Sequence, residues 1–250
     1  MRPRNLAEPA VTVALGAWLA FAVLAALVIS DQGPLFPDLD LLSWSVGHRP
    51  PVAVALARGL TATGTGVVPY VLAVLAGLIA GRTARQRLVA AALAVACLGA
   101  GQAVRYGVMD LVARARPPQY DWRTQASGWS FPSGHTTTSA VTAGLLILAL
   151  GLRAGRGRTV LCLLVAVWGA GVGLTRVYLG VHWFTDVVGG WLFAVGWLAL
   201  SVRAAARWLP AGFVPRAPQP GTSDPSDPAD APVESDAPQD PHRRGRSRPA

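Results

Sequence analysis

Two histidines in this chain lie beside the residue types that make an imidazole reactive. His182 is followed four positions later by Asp186 and preceded six positions earlier by Arg176, while His135 closes the run Phe131-Pro132-Ser133-Gly134-His135. On a helix, positions four apart share a face. A carboxylate behind an imidazole fixes its tautomer, raises its basicity and leaves the far nitrogen free as a nucleophile. Pro132-Ser133-Gly134 at a helix start presents unpaired backbone N–H groups and the positive end of the helix dipole, which is an anion site, and Ser133 adds a hydroxyl. His135, beside that site, is placed to protonate a leaving group. Arg116, within Arg114-Ala115-Arg116-Pro117, and Arg176 carry planar, two-pronged donors suited to phosphate oxygens. A phosphoryl group held by both arginines, with a histidine on each side, is arranged for in-line displacement, most of the catalysis coming from charge stabilisation. Each piece alone has an ordinary structural explanation. Together, in order and on one side of a predicted bundle, they specify a site.

The elements that must position these groups belong to a membrane protein. Of 250 residues, 52% are hydrophobic and 14% charged, with a mean hydropathy of +0.40. Soluble domains carry about 25% charged residues, so a soluble globular enzyme, a disulfide-stapled domain and a disordered chain are all disfavoured. The net charge is +9 and all 22 basic residues are arginine. The absence of lysine removes Schiff-base chemistry and a P-loop phosphate clamp. The arginines form small groups between apolar stretches, as cytoplasmic loops do, instead of a basic soluble face, so no nucleic-acid partner is expected. Cys97 and Cys162 each sit inside an apolar stretch and read as small hydrophobes, neither a disulfide framework nor a zinc site.

A membrane-spanning helix needs roughly 20 predominantly apolar residues. Six stretches qualify: Ala10–Ser30, Leu60–Gly81, Leu88–Val108, Thr136–Leu152, Thr159–Thr175 and Val187–Val202. The first is longer than a signal-peptide core of about 7–15 residues and lacks a clear cleavage site. Several are rich in glycine and alanine, which permits close helix contact. The fold class predicted is all-α, a six-transmembrane-helix bundle. Arg2 and Arg4, then Arg82, Arg85 and Arg87, then Arg153, Arg156 and Arg158, then Arg203 and Arg207 all fall on one side of it. The positive-inside rule makes that side cytoplasmic, with both termini. The stretches 31–58, 108–135 and 176–186 then face outward, and Arg114, Arg116 and Arg123 break the rule, as residues binding an anion would. The segment 31–58 mixes apolar and polar residues and reads as interfacial, with Trp44 at headgroup level. Two domains result: a membrane domain over 1–209 and a disordered Pro/Asp/Ser-rich cytoplasmic tail over 210–250, ending in a basic cluster from His242 to Arg248.

The motif set resembles the type 2 phosphatidic acid phosphatase family, whose signature reads K-x6-R-P, then P-S-G-H, then S-R-x5-H-x3-D. Here the second part is complete at Pro132–His135, the third has Thr175 for serine before Arg176, His182 and Asp186, and the first keeps Arg116 and Pro117 but has Met109 at the lysine position. The resemblance implies an active site at the extracytoplasmic face and a phosphohistidine mechanism. In it His182 is the nucleophile, Asp186 its orienting partner and His135 the general acid, with Arg116, Arg176, Ser133 and Gly134 holding the phosphate. Arg105, one helical turn before Met109, and Arg114 are the candidates to replace the missing lysine. No metal and no other cofactor is expected.

The activity implied is a metal-independent phosphoric monoester or diphosphate hydrolase in the bacterial plasma membrane. Its substrate would be a lipid phosphate: polyprenyl pyrophosphate of the undecaprenyl type, phosphatidic acid or phosphatidylglycerophosphate. Vanadium-dependent haloperoxidases share the anion site but are soluble, which the spans exclude. The alternative is a non-catalytic lipid-phosphate-binding or transport protein that keeps the phosphatase fold. Intact His135, His182 and Asp186 argue against it, because binding needs no nucleophile.

Overall fold

A computed structural model describes residues 4–208 apart from Gln32, Ala154 and Arg156, with side chains from Pro9 onward. All of these belong to the first of two units, Met1–Ala217. The tail expected over 210–250 lies outside the described residues. Eight α-helices and one short 3-10 turn, without a strand among the described residues, follow in order: α1 (Arg4–Asp31), α2 (Asp38–Gly47), α3 (Pro51–Ala62), α4 (Val67–Ala80), α5 (Ala84–Val112), the turn Gln119–Asp121, α6 (Gly134–Gly151), α7 (Arg158–Tyr178) and α8 (Phe184–Trp208).

Four of these, α1, α5, α7 and α8, are long and apolar enough to cross a membrane, and α3 with α4 makes a fifth if the bent pair is one span. The sequence expectation of a single helix over Leu60–Gly81 differs here. The span is broken at 63–66 and its halves meet at 53°. The break follows from Thr63-Gly64-Thr65-Gly66, since Gly66 takes a φ of +68° that favours glycine. Gly64 lets α3 approach α7, because a Cβ there would strike the Val172 side chain.

α6 carries a run of hydroxyl side chains in its first half for a positional reason. It packs against α4, α5, α7 and α8, so it faces protein more than lipid and buries Thr136, Thr137, Thr138, Ser139 and Thr142. Their hydroxyls have partners: Thr137 and Thr138 donate back to the carbonyls of Ser133 and Gly134, and Ser139 reaches the Gly169 carbonyl of α7 at 3.1 Å. Around α6, α1 lies along α8 through an aromatic cluster of Trp18, Phe21, Phe131 and Phe193. α4 and α5 pack closely at Gly77, where a Cβ would strike the Ala91 backbone.

The two ends of the bundle differ in chemistry. At one end Thr83 caps α5, accepting from the Gln86 N–H while Gln86 Oε1 accepts from the Thr83 N–H. There Arg153 donates to the carbonyls of Ile79 and Gly81 at the end of α4. The N-termini of α6 and α8 and the C-terminus of α7 gather at the other end. The segment expected to be interfacial, 31–58, forms α2 and the start of α3 and is fastened to this end. Arg49 donates to the Asp121 carbonyl at 2.6 Å and Tyr178 Oη to the His48 carbonyl at 2.7 Å. Trp44 is exposed and stacks on His48.

Candidate active site

His182 lies in the turn between α7 and α8 and Asp186 in the first turn of α8, both buried. The Asp186 Oδ2 atom stands 3.3 Å from His182 Nδ1 and accepts the Trp183 N–H at 2.9 Å and the Ser130 hydroxyl. The opposite imidazole nitrogen, Nε2, receives Arg116 Nη1 at 2.9 Å. A guanidinium only donates, so Nε2 is the acceptor and the ring proton sits on Nδ1, toward the carboxylate. That is the tautomer required for a nucleophile at Nε2.

Arg116 is held almost entirely by backbone. Nε donates to the Gly128 carbonyl, Nη1 to Val181, and Nη2 to Ser127 and Trp129, at 2.7 to 2.9 Å. With the His182 bond, all five N–H donors are used. Arg116 therefore organises the loop over 127–129 as well as facing the histidine, and burial lowers its pKa from the ordinary guanidinium value. Arg176, at the end of α7, is also buried, but its one side-chain partner is Thr61 Oγ1 at 3.2 Å, and its Nε has none among the protein atoms. A buried guanidinium with an unpartnered donor and no carboxylate beside it is costly.

The α6 N-terminus completes the anion-facing surface. Ser133 is the N-cap, and the first helical hydrogen bond is from the Thr137 N–H to the Ser133 carbonyl, so the N–H groups of Gly134, His135 and Thr136 precede it. The Ser133 hydroxyl accepts from Thr136 at 2.9 Å, leaving its own proton to donate. His135 Nε2 lies 3.4 Å from Thr65 Oγ1, supplied by the α3–α4 break.

Arg105 comes to the same place. It is buried on α5, and a Cβ on Gly134 would lie 3.3 Å from its guanidinium carbon. Its Nε donates to Gln102 and its Nη1 lies 3.5 Å from the Met109 sulfur. No carboxylate forms an ion pair with it among the described residues. Met109 itself packs toward Gly128 in the loop that Arg116 holds.

Arg114 does not join this surface. It is fully buried behind Asp186: Nη1 donates to Asp186 Oδ1 and Thr185 Oγ1, both at 2.7 Å, and Nη2 to Asp38 Oδ2 and the Gly33 carbonyl, both at 2.8 Å. Its four terminal N–H donors are spent on these partners; Nε is buried without a partner among the described residues, and the guanidinium faces two carboxylates, which would repel a phosphate. Arg114, expected from the sequence to face outward and bind an anion, instead pairs with two internal carboxylates.

Asp38, Thr61, Thr65 and Ser130 were not legible as site residues. Ser130 immediately precedes the run Phe131–His135 and carries no signal of its own. Asp38 had only the weak signal of an acid within a largely apolar segment. Among the described residues, no group of three or more His, Cys, Asp or Glu is placed to hold a metal ion.

Residues 88–209 match the PAP2 superfamily. The chain is 39% identical over 95 residues to phosphatidylglycerophosphatase B of Escherichia coli (strain K12), a match that covers 37% of this chain and 34% of that protein's length. It is 33% identical over 99 residues to an undecaprenyl-diphosphatase of Sulfolobus acidocaldarius, covering 37% of this chain and 44% of the relative. The chain thus matches well under half the length of each of these curated relatives. The crystal structure of a transmembrane PAP2-type phosphatidylglycerolphosphate phosphatase from Bacillus subtilis has a similar fold, with a TM-score of 0.60 and 24% identity over 78% of this chain and 94% of that one.

Proposed function

We propose that this chain, whose residues 88–209 match the PAP2 superfamily, is an integral membrane phosphatase acting on a lipid phosphomonoester or a polyprenyl pyrophosphate. The observation that carries the proposal is the clamping of His182, with Asp186 at Nδ1 and Arg116 at Nε2. A structural histidine needs no fixed tautomer; a nucleophile does.

In this reading the phosphoryl group lies between Arg176, Arg105 and Arg116, against the N–H groups of Gly134 and His135 and the Ser133 hydroxyl. Arg116 gives up its bond to His182 as the phosphate arrives and keeps its backbone bonds. The Nε2 lone pair forms an N–P bond while the P–O bond to the lipid breaks, and His135 gives its proton to the departing oxygen. Water then attacks phosphorus, His135 takes a proton from that water, and the N–P bond breaks to release inorganic phosphate. The positive side chains and backbone N–H groups stabilise the transferring charge, so the reaction needs no metal.

The bilayer arrangement follows from the same reading. Six crossings are made by α1, the bent α3–α4 pair, α5, α6, α7 and α8, within a membrane domain that ends near residue 209. The arginine-rich end, with both termini, faces the cytoplasm of a bacterial cell, and the site opens toward the outer leaflet, where amphiphilic substrates reside.

The test is phosphate release by purified protein in detergent, with EDTA, from phosphatidic acid, phosphatidylglycerophosphate and undecaprenyl pyrophosphate. Release is expected from at least one and is abolished in His182→Ala. Release that survives His182→Ala overturns the phosphohistidine assignment. Absence of release from all three favours a lipid-phosphate binder.

A further inference from the structure

We propose that Asp38 is a positioning residue for catalysis, acting on His182 through Arg114 and Asp186. This rests on the phosphatase reading above and concerns a residue that lies 144 positions before the nucleophile.

Asp38 opens α2 yet is fully buried at the foot of α8. Its Oδ1 accepts the Thr185 N–H at 2.8 Å, capping α8 from outside the helix. Its Oδ2 accepts the Thr185 hydroxyl at 2.7 Å, Arg114 Nη2 at 2.8 Å and the Leu35 N–H at 3.0 Å. Arg114 is thereby gripped from two sides, by Asp38 at Nη2 and by Asp186 at Nη1. Thr185 bridges the two, accepting from Arg114 and donating to Asp38. The chain of contacts runs Asp38, Arg114, Asp186, His182 without a gap.

Charge makes the arrangement more than a strut. Arg114 contributes one positive charge against two carboxylates, so the buried trio carries one net negative charge. Attack by neutral His182 turns its ring into a phosphorylated imidazolium, which gains a positive charge. A net negative trio behind the ring favours that change, and burial strengthens the effect. Without the Asp38 charge the trio is neutral. Arg114 then draws on Asp186 alone, and the carboxylate becomes a poorer acceptor for the His182 Nδ1 proton. Among the described residues, Asp38 forms no hydrogen bond with Arg176, Arg105 or the α6 N-terminus, the groups proposed to hold phosphate, so substrate binding is predicted to be untouched.

The experiment compares wild type, Asp38→Asn and Asp38→Glu in detergent, measuring kcat and KM on phosphatidic acid micelles, the inhibition constant of inorganic phosphate, and the melting temperature. Asp38→Asn is expected to lower kcat roughly 10- to 100-fold, the scale of losing the partner that orients a reactive ligand. KM and phosphate inhibition are expected to stay within about twofold, and Asp38→Glu is expected to recover part of kcat. A kcat within twofold of wild type overturns the proposal, as does a fall in kcat matched by an equal weakening of phosphate inhibition, which a purely structural contact would produce. Should Asp38→Asn not fold, Asp38→Ser keeps a hydroxyl acceptor at the position while removing the charge; several-fold lower kcat with unchanged phosphate inhibition supports the proposal, and unchanged kcat overturns it. A wild-type protein inactive on every lipid phosphate is failure of the phosphatase reading, whereas an active wild type with an unaffected Asp38→Asn is failure of this inference alone.

Discussion

Arg116 Nη1 and His182 Nε2 are joined by a 2.9 Å hydrogen bond, so a permanent cation faces the nitrogen proposed as nucleophile. The pairing disfavours a proton on Nε2 without blocking a phosphoryl group, whose oxygens the same guanidinium can receive. Loop geometry makes the pairing possible: four backbone bonds hold Arg116 in place, so its approach to His182 does not depend on substrate.

Burial, partly offset by the Asp186 hydrogen bond and reinforced by the Arg116 charge, lowers the His182 pKa from 6.5 to about 4. His182 is therefore neutral, and competent, down to about that pH. The acid limb of kcat/KM assigned to it is expected near pH 4, not near the ordinary histidine value. For stability the sign is set by proton uptake. Below about pH 6.5 the unfolded chain binds a proton at His182 that the folded protein refuses. Stability from this group is thus intact above 6.5 and is lost as pH falls from there toward 4. Melting curves of wild type and His182→Asn between pH 7 and 4.5 check this; wild type should fall more steeply.

Arg116 and Arg176 should separate activity from stability. Both substitutions to alanine are expected to abolish most turnover. Arg116→Ala also strips hydrogen bonds from the carbonyls of residues 127, 128, 129 and 181 and should cost about 2–4 kcal/mol of stability. Arg176→Ala removes a buried cation whose Nε is unpartnered, so its melting temperature in the absence of phosphate should equal or exceed that of wild type. A large loss of stability in Arg176→Ala would contradict the assignment.

The position where this chain lacks lysine gives a sign-reversing test. Arg105 Nη1 touches the Met109 sulfur, so a lysine at 109 would place its charge beside that guanidinium. Arg105→Ala is expected to lower kcat/KM about 10²-fold, a loss comparable to that of one charged donor to the transition state. Met109→Lys should restore much of the activity in the Arg105→Ala background and impair wild type through like-charge repulsion. Steady-state kinetics on the four proteins decide the matter, and additive effects would show that the two positions do not share a role.

Gly64→Ala tests the broken span. Its Cβ would meet Val172, and relieving the clash would push the break away from α7. A cost of about 1–3 kcal/mol is expected from overpacking. Because Thr61 and Thr65 flank this glycine and reach Arg176 and His135, kcat should fall in the surviving folded protein. Thermal denaturation and turnover measured on one preparation provide the check; a stable, fully active Gly64→Ala would mean that the break does not position the site.

The sequence alone determined the features whose information is local. Apolar length marked α1, α5, α7 and α8; Pro-Ser-Gly marked the start of α6; the four-residue spacing marked His182 and Asp186 as a pair, although His182 lies in the α7–α8 turn and only Asp186 is on a helix. Composition marked a chain made for a bilayer. The tertiary structure decided whatever depends on partners distant in the chain. Periodicity names the face a residue occupies but not what lies opposite, so Arg114 and Arg116, two residues apart, were equivalent as sequence. Only the fold turns one into the core against Asp38 and Asp186 and the other toward His182. The same holds for α6, whose threonines are tolerable because four helices surround it, and for Thr61 and Thr65, which reach the site because the span bends. A buried polar group must be satisfied, but which group satisfies it is a property of the packed chain.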